Sequence, residues 1–313
     1  MGKGLGKARR RENPHGVRYP TVARLVGPVS SRLRRAVKTA LLRTRLPLRQ
    51  ATLRAGLGVY EAYVGSRARL RGGGTPECGP DGLAVPPPEL RARVSQPPDA
   101  TFFLESGRFQ VESIRKVIAD HGVRVDGMRA ALDFGCGCGR LARWWAGVQG
   151  PALYGCDYDR KLVEWCLRNL PFMHAAVNDL EPPLRYEAEQ FDLVYALSVF
   201  THMSEPLQHR WLAELGRVLR PGGLLFFTVS GDEYADRLSG EDRARYDSAE
   251  LVTHFTEVEG SNLCAAYHPP GYVKAHMLSG LELLEMVPGA PFPAPTTAIS
   301  QDGYLARKPG QPG

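Results

Sequence analysis

The chain has 313 residues, 43% of them hydrophobic and 9% aromatic, enough for one large α/β domain or one domain with substantial additions. No apolar run approaches the roughly 18–20 residues that span a bilayer, and the N-terminus lacks the apolar segment of a secretory signal, so the expected compartment is the cytoplasm. The net charge of +7 is unevenly spread: residues 1–72 carry 18 Lys/Arg against Glu12 and Glu61, a net of +16, and residues 73–313 carry −9.

In chain order, 1–72 reads as a basic N-terminal extension. Its first twenty or so residues have little apolar surface to bury and are expected to be disordered. Leu33, Val37, Leu41 and Leu42 then recur at helical spacing, and a second helix is expected through Leu53, Leu57, Tyr60 and Tyr63. Residues 73–100, with Gly72-Gly73-Gly74 and Pro86-Pro87-Pro88, read as a Gly/Pro linker or extended strap. The main domain is expected over 101–313. It opens with a helix from Thr101 to a glycine stop at Gly122.

Next comes the most informative stretch, Ala131-Leu132-Asp133-Phe134-Gly135-Cys136-Gly137-Cys138-Gly139-Arg140, followed by Leu141 to Trp145 turning helical. A buried strand entering a glycine turn and a helix is how open α/β sheets hold a nucleotide-like ligand. The spacing is G-x-G-x-G, and Arg140 occupies the place where a dinucleotide fingerprint needs its third glycine, so a dehydrogenase reading fails. A second apolar strand, Ala152 to Cys156, ends in Asp157-Tyr158-Asp159, 24 positions after Asp133. An acid at that strand tip suits a ribose with free hydroxyls. Ala175 to Val177 leads into Asn178-Asp179-Leu180, and Phe191-Asp192-Leu193-Val194 begins a fourth strand running to Phe200 before Thr201-His202. A helix from Gln208 to Leu219, the turn Arg220-Pro221-Gly222-Gly223 and a fifth strand from Leu224 to Val229 follow.

This series resembles the class I S-adenosylmethionine-dependent methyltransferases, in particular the bacterial group with an F-D-L-V strand and an L-R-P-G-G turn. The resemblance implies a Rossmann-like doubly wound α/β sheet, mostly parallel, with an antiparallel C-terminal hairpin. It implies S-adenosyl-L-methionine as cofactor. The loop Asp133, Phe134, Gly135, Cys136, Gly137 and Gly139 would wrap the methionine part, Asp157 with Tyr158 the ribose, and Asp179 with Leu180 the adenine. Ser198 falls at the turn after the fourth strand, where enzymes that methylate amides or base amines carry an Asn/Asp-Pro-Pro-Tyr turn; its absence favours an oxygen or simple amine acceptor. The leading helix often covers the site in this group, which makes Phe103, Gly107 and Arg108 lid candidates.

Methyl transfer from a sulfonium needs alignment and at most one base, and demands no metal. His202 after the fourth strand and His268 before the later helix are the candidate bases; His254, in a charged stretch, ranks below both, and Gln301-Asp302 reads as a surface loop near the pocket mouth. Cys136 and Cys138 have no second pair at zinc spacing and read as small packing residues, not ligands. After the fifth strand, Gly231 to Glu250 reads as helical, Leu263 to Tyr267 as a strand, Tyr272 to Leu278 as a helix, and Leu281 to Val287 and Gly303 to Arg307 as the last strands. The favoured acceptor is a small molecule or glycan-type substrate reacting at oxygen. One alternative is RNA or a membrane-associated substrate, recruited through nucleic acid or anionic membrane contact by residues 1–72. The other is a non-catalytic methyltransferase-fold binding protein, against which the intact glycine loop and Asp157 argue.

Overall fold

A computed structural model of the chain describes residues 78–95, 98–290 and 299–310, with scattered positions between 50 and 66 that are helical. The basic helix expected through Leu33 and Leu42 lies outside the described residues. In place of an extended linker, Cys78 pairs with Ala84 across a tight turn, and Pro88–Val94 forms α1. Pro88 opens this helix, where its missing N–H goes unneeded. Arg91 is turned inward, bonded to the Pro86 and Pro98 carbonyls, so both ends of the strap are held together. α2 (Ala100–Asp120) follows, capped by the Asp99 carboxylate, which accepts the Phe102 N–H. Its buried stripe of Phe103, Gly107, Val111, Ile114 and Ile118 advances in steps of three and four, as an amphipathic helix on a sheet requires.

The alternating part of the chain gives β1 (Ala130–Phe134), β2 (Ala152–Asp157), α3 (Arg160–Asn169), β3 (Met173–Val177), β4 (Phe191–Ala196), α4 (Glu205–Val218) and β5 (Leu219–Val229). Every residue of β1 and β4 is buried, which is why both read as apolar runs interrupted only by Asp133 and Asp192. Beyond β5 come α5 (Asp232–Ala235) and α6 (Glu241–Asp247), then β6 (Val252–His254) and β7 (Ala265–Tyr267), which form a small two-stranded sheet that a single bridge from Tyr267 to Ser230 links to the end of β5. α7 (Pro270–Tyr272) runs into a π-helical turn over Val273–Met277, and β8 (Glu282–Val287) and β9 (Asp302–Arg307) close the chain. The seven-stranded order is β3-β2-β1-β4-β5-β9-β8, parallel through β5 and antiparallel at β9 and β8. This is the expected doubly wound sheet with its antiparallel hairpin. The order reverses between β1 and β4, which opens a crevice beyond their C-terminal ends.

Local chemistry accounts for the motifs. Asp192, buried in β4, accepts the N–H groups of Arg129 and Ala130 at 2.8 and 2.9 Å and pairs with Arg220 at 2.5 Å. The acid of Phe191-Asp192-Leu193-Val194 and the arginine of the glycine turn thus tie β1, β4 and β5 together at the end away from the crevice. The turn belongs to the strand: β5 starts at Leu219, paired with Phe191, five residues before its predicted start. The segment after the glycine loop is shorter than predicted, a single 3₁₀ turn over Ala142–Trp145 that the chain leaves through Gly147 at φ +73°. α4 starts earlier than predicted, at Glu205, with Ser204 and Pro206 shaping its first turn.

Candidate functional site

The crevice beyond β1, β2 and β4 spans about 1160 Å³, open solvent at its mouth included. Its floor is the glycine loop. Gly135 and Gly137 have φ of +75° and +55°, and a Cβ on either would lie 2.5 Å from a valine methyl, Val199 Cγ2 and Val94 Cγ1 respectively. Only glycine fits both the dihedral and the space. The Gly135 and Cys136 N–H groups donate to the Cys156 carbonyl at 2.8 and 3.0 Å, which pins the loop to the end of β2. Gly139 faces away, toward Leu170, and shapes the loop from behind.

Two buried acids face this floor. Asp157 accepts the Gly137 N–H at 2.9 Å and the Asp159 N–H at 2.8 Å. Burial pushes its carboxyl up to about 6, and those backbone donors work against the rise. Asp133 has no such support, because its Oδ2 is buried without a hydrogen-bond partner. Burial pushes it up to about 7, with the Arg140 guanidinium pulling the other way. Arg140 lines the same end of the cleft, its Nη1 donating to Gln110 Oε1 at 2.6 Å, and burial lowers its pKa to about 10, so it stays charged at neutral pH.

The other end of the cleft is built by Tyr158, Asn178, Asp179 and Leu180. Asn178 Oδ1 is a second buried acceptor without a partner, while Asp179 sits exposed at the rim. The Trp211 indole donates to the Leu180 carbonyl at 3.0 Å and fixes that wall. His202 also lines the cleft, with Nδ1 2.7 Å from the Cys264 carbonyl. A carbonyl only accepts, so Nδ1 carries the proton and Nε2 has a free lone pair. Burial lowers the His202 pKa, so the ring is neutral at pH 7. Ser198 lines the cleft beside Val199 in a left-handed conformation, φ +58°. Its N–H donates to Thr228 Oγ1 and its hydroxyl to Gln301 Oε1, both within 2.9 Å. Gln301 is therefore a support beneath the site and not a free surface residue.

Five predicted residues fall elsewhere. His268 is fully buried, bonded through Nε2 to Gln208 Oε1 at 3.0 Å, and burial drives its pKa down to about 3. It sits in the core between α4 and α7, away from the cleft lining, and is not placed to act as a base. Arg108 projects into solvent, paired with Glu112 one turn on, because the inward face of α2 is set by Gly107 and Val111. Gly107 lies against the Arg140 backbone and Phe103 packs behind the loop with Leu162. His254 pairs with Asp242 outside the cleft. Sequence reasoning missed Arg140 as a site residue, and also Arg93 of α1 and Asn262 of the β6–β7 connection, both of which line the cleft. Arg140 had a signal in its position beside the loop. The other two lie far from any motif.

A doubly wound sheet with two acid-tipped strands at its switch point defines a class of α/β proteins that bind ligands in that crevice. The methyltransferase-domain family profile matches residues 132–227, and the chain carries a class I S-adenosylmethionine-dependent methyltransferase domain. Over 109 residues the chain is 39% identical to phthiotriol/phenolphthiotriol dimycocerosates methyltransferase 1 of Mycobacterium ulcerans, covering 34% of this chain and 39% of that protein. It is 31% identical over 100 residues to the malonyl-[acyl-carrier protein] O-methyltransferase of Salmonella typhimurium, covering 32% and 38% of the two chains. The chain thus matches less than two fifths of either relative's length. A solved S-adenosylmethionine-dependent methyltransferase from Mesorhizobium loti superposes with a TM-score of 0.48 at 19% identity, covering 63% of this chain and 99% of that one.

The residues present suit such a cofactor. Asp133 Oδ2 and Asn178 Oδ1 are buried acceptors lacking donors, which a ligand carrying ammonium, hydroxyl and amino groups supplies.

Proposed function

We propose that the protein transfers a methyl group from S-adenosyl-L-methionine to an oxygen of a small-molecule or glycan-type acceptor by in-line displacement. The observation that carries this reading is the order of groups along one cleft. Asp133 and Arg140, a buried acid and a buried base, face the glycine-loop end; Asp157 stands at the middle; Asn178, Asp179 and Leu180 form the far end. An α-amino acid, a ribose and an adenine call for those partners in that order.

The bound cofactor supplies an activated methyl group. The chain's own residues hold and orient. Asp133 accepts from the α-ammonium and Arg140 donates to the α-carboxylate, a pairing that charge alone dictates. Asp157, fixed by two backbone donors, accepts from ribose hydroxyls. Asn178 Oδ1 and the Leu180 amide bracket the adenine, with Tyr158 at the ring's edge. His202, neutral and with Nε2 unprotonated, takes the proton of the acceptor hydroxyl as the bond forms. Ser198, held by Thr228 and Gln301, shapes the wall between loop and acceptor. An oxygen acceptor is supported by the missing Asn/Asp-Pro-Pro-Tyr turn and by the relative named as an O-methyltransferase.

Calorimetric titration of S-adenosylmethionine and S-adenosylhomocysteine tests the cofactor half. Wild type is expected to bind with micromolar affinity, and Asp157→Ala to bind at least tenfold more weakly, about 1.4 kcal/mol. Absence of binding to folded wild type would sink the proposal. Once an acceptor is found, His202→Gln is expected to lower kcat about 100-fold or more while leaving S-adenosylhomocysteine affinity nearly unchanged.

A further inference from the structure

The roof of the cleft comes from two pieces of chain that lie outside the matched residues 132–227. One is α1, whose Val94 methyl rests on Gly137. The other is the connection between β6 and β7. Its Gly260, at φ +79°, sits so close over the rim that a Cβ there would lie 2.8 Å from the Tyr158 ring and 3.1 Å from Leu180. The Gly260 N–H donates to the His202 carbonyl at 2.8 Å, so this piece is anchored to the same turn that carries the histidine.

The two pieces are joined across the cleft. Asn262 Nδ2 donates to the Arg93 carbonyl at 2.8 Å and approaches the Ala92 carbonyl at 3.4 Å. Both are last-turn carbonyls of α1, which have no partner inside the helix. From the same turn, the Arg93 guanidinium reaches across to the Asp159 carboxylate. Asp159 is not an arbitrary partner. Its side chain caps α3 by accepting the Lys161 N–H at 3.0 Å, and its own N–H is one of the two donors that hold Asp157. A chain of contacts therefore runs from Asn262 through α1 and Arg93 to the acid assigned to the ribose.

We infer that Asn262 and Arg93 form a clasp that closes the roof over the adenosyl end of the cleft, so that they act as positioning residues governing how fast the adenosyl ligand enters and leaves. The inference rests on the reading of the cleft as an S-adenosylmethionine site. A ligand seated between Asp157 and Leu180 lies beneath the two roof pieces, and its exchange is faster when they part where Asn262 joins them. Neither side chain need touch the ligand for this. The clasp consequently lowers the barrier in both directions when it is broken, whereas a lost ligand contact would speed only release.

The test uses the full chain with S-adenosylhomocysteine as probe, read by stopped-flow tryptophan fluorescence, since Trp211 lines the cleft. Asn262→Ala, Arg93→Gln and the double variant are compared with wild type, with thermal melts to confirm folding. Losing one ordinary hydrogen bond is expected to raise both association and dissociation rates about five- to tenfold, with Kd shifting less than about threefold. Rates within about twofold of wild type in all folded variants would overturn the clasp. A rise in dissociation alone, matched by Kd, would overturn it too, because it marks direct ligand contact. No binding of the probe to wild type would overturn the cofactor reading itself, and with it the clasp.

Discussion

A carboxylate at the end of a buried strand keeps its charge only if something replaces the water it has lost, and the two acids of the cleft differ in what replaces it. Asp157 has two backbone N–H donors and titrates near 6; Asp133, with an unpartnered Oδ2, titrates near 7. Below about pH 7 the ligand-free protein therefore holds a proton on Asp133. A cationic ammonium beside it favours the carboxylate, so binding in that range must expel the proton. Affinity for S-adenosylhomocysteine is expected to rise with pH up to about 7 and then level, with proton release detectable by calorimetry in buffers of different ionisation enthalpy. A flat profile between about pH 5.5 and 7.5 would exclude this role for Asp133. These acids were legible in the sequence because a strand tip is a fixed place in this fold. Arg140 was not, because spacing identifies it only as a missing glycine, and its charge acquires a role through Asp133 and Gln110 packing around it. Arg108 misled for a related reason: adjacent residues on a helix point about 100° apart, so being next to buried Gly107 puts it outside.

Elements buried on both faces announce themselves; elements that fold over an edge do not. β1, β4 and the body of β5 were readable from their apolar runs, and α4 as a helix over 208–219, whose buried stripe in the structure is Leu207, Trp211, Leu215 and Val218. Between β5 and β8 the chain forms short pieces whose position depends on tertiary partners. The charged stretch 231–250 splits into two small helices, and His268 is drawn into the core by Gln208. The end of α6 shows how such pieces are held. The Glu250 N–H bonds the Arg245 carbonyl at 2.9 Å and the Ala249 N–H the Tyr246 carbonyl at 3.0 Å, a helix-ending motif that puts exposed Ala249 at φ +61°. That position favours glycine. Ala249→Gly is expected to stabilise the protein by about 1 kcal/mol, raising Tm by roughly 2–4 °C in a thermal melt. A lower Tm would mean that flexibility gained in the unfolded chain outweighs the strain relieved.

At the scale of the whole molecule, the folded body begins upstream of the matched domain, and one buried ion pair does much of the joining. Arg143, 1% exposed, sends its guanidinium to both Asp81 oxygens, at 2.6 and 2.8 Å, and to the Leu83 and Ala84 carbonyls at 2.9 and 3.1 Å. The loop carrying Asp81 leads directly into α1 and hence into the roof of the cleft. Sequence could not reveal this, since an acid among Gly and Pro residues carries no period and its partner lies 62 positions away. Removing one member of a buried pair strands the other charge without solvent, at a typical cost of about 3–5 kcal/mol. Asp81→Ala is therefore expected to lower stability by about that amount in urea unfolding, and to weaken S-adenosylhomocysteine binding because the strap loses its mooring. Replacing both members, Asp81→Leu with Arg143→Met, removes the stranded charge and is expected to recover most of the stability. Binding should recover less, since the two backbone carbonyls that Arg143 holds would still lose their donor. Equal recovery of stability and binding would show that Asp81 matters only as a counter-charge, and that the strap reaches its place over the cleft without it.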